Sequence, residues 1–418
     1  MRTLVVAYEY PWPANSGSRL RLLTTLHALG RNGATDLFSI TSRERSDFGE
    51  PDRSFGLERV GRATVRSGGF RLGRLVRPGL PSTLPIGDQR QVSAALVRFA
   101  TGTYDLVWFF DVRAWVLAGA PDLAPTVIDY DDLEHYKIRA RLAVDFADGR
   151  PVPVAGRPTP TGLARWRRLP GRAFSLLEAH RWARLYCSAS RRVAATVVCS
   201  PLDAERASLS GVMRVSVVPN GYARPLRPVG RPEVGSPPVV LFHGTLRYPP
   251  NADAAAWLVG RIAPALRKLV PGTQIRLVGL GNPSHQVFHD PPATTVVGPV
   301  PDIETELTRA DVVVVPIRFG SGTRVKIIEA FAYRIPVVST TMGAEGLGVQ
   351  DGRHLLLADT AQELASACAR LLTDPGLRQR LVDAAHQRYL DAFEREVVEG
   401  SINAVAHAAL DAGAAMKP

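Results

Sequence analysis

The sequence predicts an α/β fold with two doubly wound, Rossmann-like domains that face each other across a cleft. Short apolar runs typical of buried strands alternate with helical patterns in both halves of the chain. The length of 418 residues exceeds that of one ordinary core. A Pro- and Gly-rich stretch without periodicity, residues 225–238, separates the halves. Two consecutive alternating halves are typical of two stacked α/β domains.

We therefore predict an N-terminal domain at 1–224, a C-terminal domain at 225–395, and a last helix at 396–418 that packs back on the N-terminal domain. In the first half, strands are expected at 4–8, 37–41, 105–109, 126–129 and 196–200, with a first helix at 18–29. In the second half, strands are expected at 239–242, 275–278, 295–297, 312–315 and 337–339, and helices at 252–269, at 302–309, from near 323, and from 360 onward.

The charge balance is strongly basic, with a formal net charge of +12. Nucleic acid, anionic membranes and phosphorylated substrates all fit this sign. The sequence carries no helix-turn-helix, zinc-finger or RNA-binding signature, which argues against nucleic acid. Much of the charge lies in 137–192, where Trp166 and Trp182 are interleaved with Arg. This segment is either a solvated helical face or a peripheral contact with an anionic membrane.

Membrane-spanning and metal-binding patterns are both missing from the sequence. No apolar run reaches the roughly 18 residues that span a bilayer, and the first residues resemble a strand more than a signal peptide. The three cysteines do not have the spacing of metal ligands, and we interpret them as reduced thiols. We therefore expect a cytoplasmic protein, either free or bound peripherally to the inner face of the membrane.

The run 310–341 is the most informative part of the chain. It contains a buried strand, a glycine-bearing loop, a helix from near Thr323 and a second strand. Backbone N–H groups and the helix dipole favour an anion where such a loop enters a helix. Lys326 lies in the first turn and Glu329 one turn further on the same face. This pattern suits a nucleotide diphosphate, with the carboxylate on the ribose, although an exposed Lys326–Glu329 ion pair would also account for it.

Four stretches of the chain resemble retaining glycosyltransferases of the GT-B fold, and above all the large glycosyltransferase family four, which includes many bacterial enzymes. They are YPWPANSGSRLRLLTTLHALGRNG (10–33), VVPNGY (217–222), VLFHGTLRYPPNADAAAWL (240–258) and ADVVVVPIRFGSGTRVKIIEAFAYRIPVVSTT (310–341). The resemblance implies transfer of a sugar from a nucleotide-diphosphate sugar to an acceptor hydroxyl or amine with retention of configuration.

The family signature in the last stretch is a Glu, seven residues and a second Glu. Glu329 matches the second, which binds the donor ribose in relatives. Ser321 stands where the first is expected, and Gly322 matches the glycine that follows it. The form GSGTRVKIIEA resembles a branch in which glycines and cations replace the first Glu. Ser321 then either offers its hydroxyl to the sugar or leaves that contact to backbone N–H groups.

Other parts of the chain supply further predicted donor contacts. Arg247 follows Gly244 after the first strand of the second half and is expected to reach the diphosphate, unless it is only an exposed loop arginine. The resemblance implies that backbone groups from Gly298 to Val300 read the base, unless they form a plain turn. The complete set of predicted binding residues is Gly17, Gly244, Arg247, Gly298, Val300, Ser321, Gly322, Thr323, Lys326 and Glu329.

The first half contributes the predicted acceptor side. Gly17 either lets the backbone approach a substrate or belongs to a helix cap formed by Ser16 or Ser18. In 127–137, Asp131 occupies the position of a histidine near the sugar in relatives, and His135 lies one turn further on. Four acidic residues there form either a mouth for a cationic or polyhydroxylated acceptor or a helix-capping cluster, namely Asp129, Asp131, Asp132 and Glu134.

We accordingly predict a glycosyltransferase whose catalytic residues are Asp131, His135, Arg247 and Lys326. The two cations would stabilise the leaving diphosphate, so no metal and no other cofactor is expected. The donor is a nucleotide sugar, and the acceptor is a small natural product, a lipid-linked sugar or a polysaccharide. Three alternatives remain open: a pseudo-glycosyltransferase, a sugar epimerase on the same fold, or a non-catalytic nucleotide-sugar-binding subunit.

Overall fold

The computed structural model describes residues 1–42, 49–52, 55–65, 79–147, 169–225, 233–281 and 289–415. Trp166, all of the Pro- and Gly-rich stretch at 149–160 that the sequence also contains, and part of the linker at 225–238 lie outside these residues. The chain divides into two compact units. The first comprises Met1–Tyr136, Ala173–Gly221 and Glu396–Pro418, and the second comprises Lys137–Arg172 and Tyr222–Arg395.

The first unit contains a seven-stranded sheet in which all neighbouring strands are parallel, in the order β3-β2-β1-β4-β5-β6-β7. The strands are β1 (Thr3–Ala7), β2 (Thr35–Ser42), β3 (Leu57–Val65), β4 (Leu106–Phe110), β5 (Thr126–Asp129), β6 (Ala195–Val198) and β7 (Val215–Val217). The helices of this part of the chain are α1 (Gly17–Gly30), α2 (Gln89–Phe99), α3 (Val112–Leu117), α4 (Glu134–Ala147), α5 (Leu169–Ser190) and α6 (Pro201–Leu209).

The core of the first unit includes residues from both ends of the chain. All five residues of β1 are buried, as expected for a parallel strand that is covered on both faces. The last helix, which we label α13 (Arg395–Ala415), adds Val398, Ile402 and Ala406 to the same apolar cluster as Trp108. The C-terminal segment thus belongs to the core of the first unit.

The second unit contains a six-stranded parallel sheet in the order β10-β9-β8-β11-β12-β13. Its strands are β8 (Val239–His243), β9 (Gln274–Val278), β10 (Thr294–Gly298), β11 (Val312–Val315), β12 (Val337–Ser339) and β13 (Leu356–Leu357). Its helices are α7 (Pro249–Trp257), α8 (Ala263–Leu269), α9 (Glu304–Leu307), α10 (Val325–Ala332), α11 (Ala361–Thr373) and α12 (Pro375–Ala392). Both sheets have the doubly wound order, so the predicted fold class is confirmed.

Two helices differ from the prediction. The helix expected at 252–269 is interrupted by a π-helical turn, Leu258–Ile262, which lies just before Pro264. Proline has no N–H to donate to the preceding turn, which accounts for the interruption. The helix expected near Thr323 begins at Val325, because Arg324 has extended backbone angles of φ −91° and ψ 96°. Among the described residues, none of the helices has the length and apolar character to cross a bilayer.

Candidate functional site

The strand order of the second sheet reverses between β8 and β11, and the candidate site lies at their carboxyl ends. In doubly wound sheets, this reversal opens a crevice in which ligands bind. Strand β8 ends at His243 and leads into the loop 244–248. Strand β11 ends at Val315 and leads through 316–324 into α10. The two segments that the sequence singled out therefore leave neighbouring strands.

Lys326 joins the two segments. Its Nζ donates a hydrogen bond of 2.9 Å to Oδ1 of Asn251 and lies 4.3 Å from the centre of the Phe242 ring. A Cβ atom at Gly244 would lie only 2.9 Å from that Nζ, so a glycine is needed beside the cation. Burial, and then the charge of Arg324, lower the pKa of Lys326 to about 7. The amine is therefore ready to gain a proton when an anion binds.

Glu329 lies one turn along α10 from Lys326 and is only 8% exposed. Its Oε2 is 3.6 Å from Nδ1 of His243, which sequence analysis did not identify. Burial raises the pKa of Glu329 to about 7, although Lys326 opposes this change. Burial and the charge of Lys326 lower the pKa of His243 to about 3, so this histidine is neutral at pH 7. The alternative of an exposed ion pair does not fit so buried a carboxylate.

The loop before α10 is held together by Arg324. Its Nη1 donates hydrogen bonds to the carbonyl oxygens of Ser321 and Gly322, at 2.5 and 2.8 Å. Ser321, in the place of the family's first Glu, is 4% exposed. Its Oγ has no hydrogen-bond partner among the described residues. Thr323 is buried in the loop and is not part of the helix.

Arg247 is exposed and lies on the loop after β8. This loop is fixed to the neighbouring strand, because the Gly244 N–H donates to the Val278 carbonyl at 2.9 Å. A Cβ atom at Gly281 would lie 2.2 Å from Arg247 Nε, so the guanidinium stem passes directly over that glycine. The sequence placed Arg247 and Lys326 at one site, and the structure places both next to the loop that begins at Gly244.

Gly298 and Val300 lie at the carboxyl end of β10. Gly298 ends β10 with a φ of 83°, and its carbonyl accepts the Gly279 N–H at 2.8 Å. Val300 is partly buried against the core of the second unit. The interpretation as a tight turn accounts for Gly298, and base recognition by this segment stays a prediction.

In the first unit, the structure favours the capping interpretation for the segment around Gly17. This glycine opens α1, and the Oγ of Ser16 accepts the Arg19 N–H at 3.4 Å. The Ser18 hydroxyl donates to Glu9 at 2.6 Å. Gly17 therefore belongs to a side-chain-capped helix start.

Asp129 does not belong to the predicted acidic mouth. It is fully buried and forms an ion pair of 3.0 Å with Arg21, which is itself 3% exposed. Arg21 also donates to the Val218 carbonyl and to Asn220 Oδ1, at 2.8 and 3.1 Å. Burial lowers the pKa of Arg21, but the charges of Asp129 and Asp131 together keep this pKa above its ordinary value. The pair fixes β5 to α1 and is structural.

The two predicted catalytic residues after β5 have different surroundings. Asp131 is partly exposed, has a φ of 54°, and lies 3.8 Å from Arg21 Nε. Burial raises its pKa to about 7, although Arg21 opposes this change. His135 is 1% exposed, and its Nε2 is 2.9 Å from Ser210 Oγ. This position does not fit a catalytic role for His135, because so buried a side chain does not reach a substrate.

Sequence analysis missed Asp111 and Arg113 at the end of β4. The strand order of the first sheet reverses between β1 and β4. The carboxyl end of β4 therefore lies at the crevice of the first sheet, as the ends of β8 and β11 do in the second. Asp111 has a φ of 77° and accepts hydrogen bonds from the backbone and side chain of Arg113. Arg113 also pairs with Glu134, which therefore has a structural partner. An aspartate directly after the buried run LVWFF was the available signal.

Two aromatic residues of the predicted basic and aromatic segment are buried and do not lie on the surface. Trp182 and Tyr186 are each 2% exposed, and Arg113 lies 4.8 Å from the Trp182 ring centre. These aromatic residues pack inside the first unit because α5 turns them toward its core. The face of α5 that remains outside carries Leu176 and Leu177, which are 53% and 45% exposed.

Within the part of the chain that the structure describes, no group of three or more His, Cys, Asp or Glu residues could hold a metal ion.

Comparisons with known proteins agree with this fold. Residues 237–374 match the family model described as glycosyl transferases group 1. This match covers the loop after β8, the run 310–341 and the sheet that carries them. The matched residues lie within 225–395, the range predicted for the C-terminal domain.

One curated relative matches part of the chain, an uncharacterized 44.6 kDa protein in the cps region of Klebsiella pneumoniae. The two are 27% identical over 131 residues, which are 29% of this chain and 33% of the relative. The match thus spans about a third of the length of that relative.

Several solved structures match nearly the whole chain. Sucrose-phosphate synthase from Thermosynechococcus elongatus has a TM-score of 0.67 at 17% identity, over 97% of this chain and 98% of that one. HepE from Anabaena, solved in complex with UDP-glucose, has a TM-score of 0.61 at 15% identity, with 97% and 98% covered. At these identities the similarity is one of fold, and it agrees with the predicted GT-B architecture.

Proposed function

We propose that this protein is a glycosyltransferase that moves a sugar from a nucleotide-diphosphate sugar to a hydroxyl or amine of an acceptor, with retention of configuration. One observation carries the proposal: Lys326 is held by Asn251 beside Gly244, with Glu329 one turn further along the same helix. The group 1 match over residues 237–374 supports sugar transfer as the reaction class.

In this proposal the second unit binds the donor. Arg247, Lys326 and the N–H groups at the start of α10 bind the diphosphate, and Glu329 accepts hydrogen bonds from the ribose. As the glycosidic bond breaks, negative charge grows on the diphosphate, and cations placed beforehand lower the barrier. These cations take the role that a divalent metal has in other transferases, so we propose a metal-independent reaction.

The acceptor side is proposed to involve Asp131. A carboxylate whose pKa is about 7 can take a proton from an acceptor hydroxyl at neutral pH. In the retaining family that the chain resembles, transfer occurs on the front face and needs no nucleophile from the enzyme. The acceptor itself belongs to one of three classes, a small natural product, a lipid-linked sugar or a polysaccharide.

The exposed face of α5 supports a peripheral membrane contact. Leu176 and Leu177 are exposed on the same helix as the exposed Arg184, about two turns before it, on a chain with a net charge of +12. Apolar and basic side chains on one helix surface suit the boundary between water and anionic headgroups. The protein would then reach a lipid-linked acceptor at the membrane in which the lipid is embedded.

One rival function has a specific observation in its favour. Ser321 replaces the family's first Glu, as a non-catalytic nucleotide-sugar-binding subunit would allow. A pseudo-glycosyltransferase or an epimerase on the same fold would instead release a different product. Turnover of the donor distinguishes a transferase from a non-catalytic subunit. Analysis of the product distinguishes a transferase from a pseudo-glycosyltransferase and from an epimerase.

The experiment begins with a thermal-shift screen of the full chain against UDP, GDP, ADP and dTDP. UDP is tested first, since HepE was solved with it. A sugar nucleotide of the base that binds is then incubated with the protein, and its hydrolysis and the anomer released are followed by NMR. Binding with release of the retained anomer is expected. Binding without any turnover would favour the non-catalytic subunit, and binding of none of the four would overturn the proposal.

A further inference from the structure

The site contains most of the unsatisfied polar atoms of the second unit. Four buried side-chain nitrogen or oxygen atoms there have no hydrogen-bond partner among the described residues. Three of them lie at the carboxyl ends of β8 and β11: His243 Nε2, Ser321 Oγ and Arg324 Nη2. Buried polar groups are nearly always paired in folded proteins, so a cluster of exceptions indicates groups that await a ligand.

Two of these atoms belong to one short loop, Gly320–Arg324, and both can donate hydrogen bonds. The guanidinium is fixed in place, because Nη1 binds the Ser321 and Gly322 carbonyls while Nη2 is left over. Gly320 makes room for it, since a Cβ atom there would lie 2.5 Å from Nη2. The loop thus carries a hydroxyl and a cationic N–H, each without a hydrogen-bond partner among the described residues.

The nearby carboxylates do not neutralise this arginine. Asp253 pairs with Arg318 at 2.6 Å, and Glu329 faces His243. A neutral sugar hydroxyl both donates and accepts, and it is best matched by a site with acceptors as well as donors. A loop that presents donors, with a charge on one of them, best matches a group that only accepts.

We infer that the Gly320–Arg324 loop is a subsite for an anionic group on the transferred sugar, so that the donor carries a hexuronic acid. The inference rests on the proposed function, in which Arg247 and Lys326 already serve the diphosphate. Arg324 is then a further cation, three residues after Ser321, at whose position the resemblance implies a carboxylate near the sugar. A C6 carboxylate has only acceptor atoms and pairs with the planar guanidinium.

The loop can reach such a group with small changes. Ser321 lies between Gly320 and Gly322, whose φ angles are 148° and 72°. Gly322 and Arg324 are only partly buried, so the loop extends to the surface. The Ser321 hydroxyl can rotate toward a bound carboxylate, and Arg324 Nη2 has no partner among the described residues while Nη1 keeps its two carbonyl contacts.

The first test measures binding by calorimetry with the full chain. The probes are the nucleoside diphosphate chosen by the thermal-shift screen, its glucose ester and its glucuronate ester. The glucuronate donor is expected to bind on the order of 10- to 100-fold more tightly than the glucose donor, as for one added charge-assisted contact. Equal or weaker binding of the glucuronate donor would overturn the inference while leaving the proposed function intact. If no nucleoside diphosphate binds, the proposed function itself fails.

The second test separates a sugar contact from a phosphate contact. In Arg324→Gln, the preference for glucuronate over glucose is expected to disappear. In the control Arg334→Gln, which changes an exposed arginine of the same unit, the preference is retained. If Arg324→Gln weakens both donors by the same factor, Arg324 serves the diphosphate and the inference is wrong.

A third variant restores the family's carboxylate. Ser321→Glu is expected to repel the glucuronate donor and to reverse the preference in favour of glucose. Thermal melting shows whether this buried substitution is tolerated. A folded Ser321→Glu protein that still prefers glucuronate would count against the subsite, and Arg324→Gln decides the question if the variant does not fold.

Discussion

Asn251 connects Lys326 to the loop that follows β8. Its Oδ1 accepts the Lys326 amine at 2.9 Å, while its Nδ2 donates to the Thr245 carbonyl at 3.0 Å. One amide therefore orients the cation and fixes the loop that carries Arg247. The predicted phosphate-binding Lys326 is therefore oriented by the protein itself, which is the arrangement that electrostatic catalysis requires.

Removal of either cation is expected to slow transfer without unfolding the protein. Lys326→Ala and Arg247→Ala should each raise the barrier by roughly 2–4 kcal/mol, since each loses a charge contact to the leaving group. Steady-state rates at saturating donor measure the effect, and thermal melting checks the fold. Lys268→Ala, an exposed lysine of the same unit, is the matched control. Wild-type rates in both variants would show that the diphosphate lies elsewhere.

Glu329→Ala is expected to act mainly on donor affinity. A ribose contact is made equally in the ground state and the transition state, so KM should rise while kcat changes little. Glu329→Gln keeps one acceptor oxygen and should show a smaller increase. A large loss of kcat with unchanged KM would instead place Glu329 in the chemical step.

Donor binding is expected to weaken as the pH rises above 7. Burial lowers the pKa of Lys326 from 10.5 to about 7, so the unliganded amine loses its proton in this range. A bound diphosphate favours the protonated amine, and binding at higher pH must therefore take up a proton. The dissociation constant should increase by up to about tenfold per pH unit above 7.

The matched variant for this pH dependence is Lys326→Arg. Because arginine stays charged throughout the range, the variant should bind the donor with little change between pH 7 and 9. Calorimetry in buffers of different ionisation enthalpy measures the proton uptake directly. An unchanged slope in Lys326→Arg would assign the titration to another group.

Transfer is expected to continue in excess EDTA. In the proposed mechanism, Arg247, Lys326 and the helix start balance the diphosphate charge, so no divalent ion is required. Donor turnover is compared with and without the chelator, and then after addition of Mg²⁺ or Mn²⁺. Activity that is lost in EDTA and returns with either ion would refute metal independence.

The exposed face of α5 is expected to bind anionic vesicles. Cosedimentation with anionic and neutral vesicles should show binding to the anionic ones only. The binding should fall with salt, because exposed charges are screened over roughly 8–10 Å at physiological ionic strength. The double variant Leu176→Ser, Leu177→Ser should bind less, and Leu269→Ser, which alters a leucine 54% exposed in the second unit, should not. Equally negligible binding to both vesicle types would leave a solvated helix face.

Local patterns were sufficient to predict ten of the thirteen strands of the described residues, all except β3, β7 and β13. The run 312–315 is four valines, and only a strand covered on both faces accommodates such a sequence. Lys326 and Glu329 could be paired because they lie three residues apart on one helix. Their surroundings could not be predicted in this way, since His243 and Asn251 come from segments more than seventy residues away.

The acidic segment after β5 shows that residue type and spacing alone do not predict the partner of a carboxylate. Four acidic residues in a row of six positions look alike in the sequence, yet their partners differ. Asp129 pairs with Arg21, 108 residues away, and Glu134 pairs with Arg113. Only long-range packing determines which carboxylate is neutralised by a buried arginine, so the residue pattern by itself did not show that Asp129 is structural. The burial of His135 follows from the same packing.

The contact between Arg247 and Gly281 makes it possible to move a catalytic charge without deleting it. A methyl group at Gly281 would overlap the arginine stem at 2.2 Å, and that stem is flexible enough to give way. Gly281→Ala would therefore displace the guanidinium while its charge stays on the protein, with some backbone strain because φ is 72°. Arg247→Ala reports whether the charge matters. The glycine variant would report how sensitive the reaction is to the charge's position.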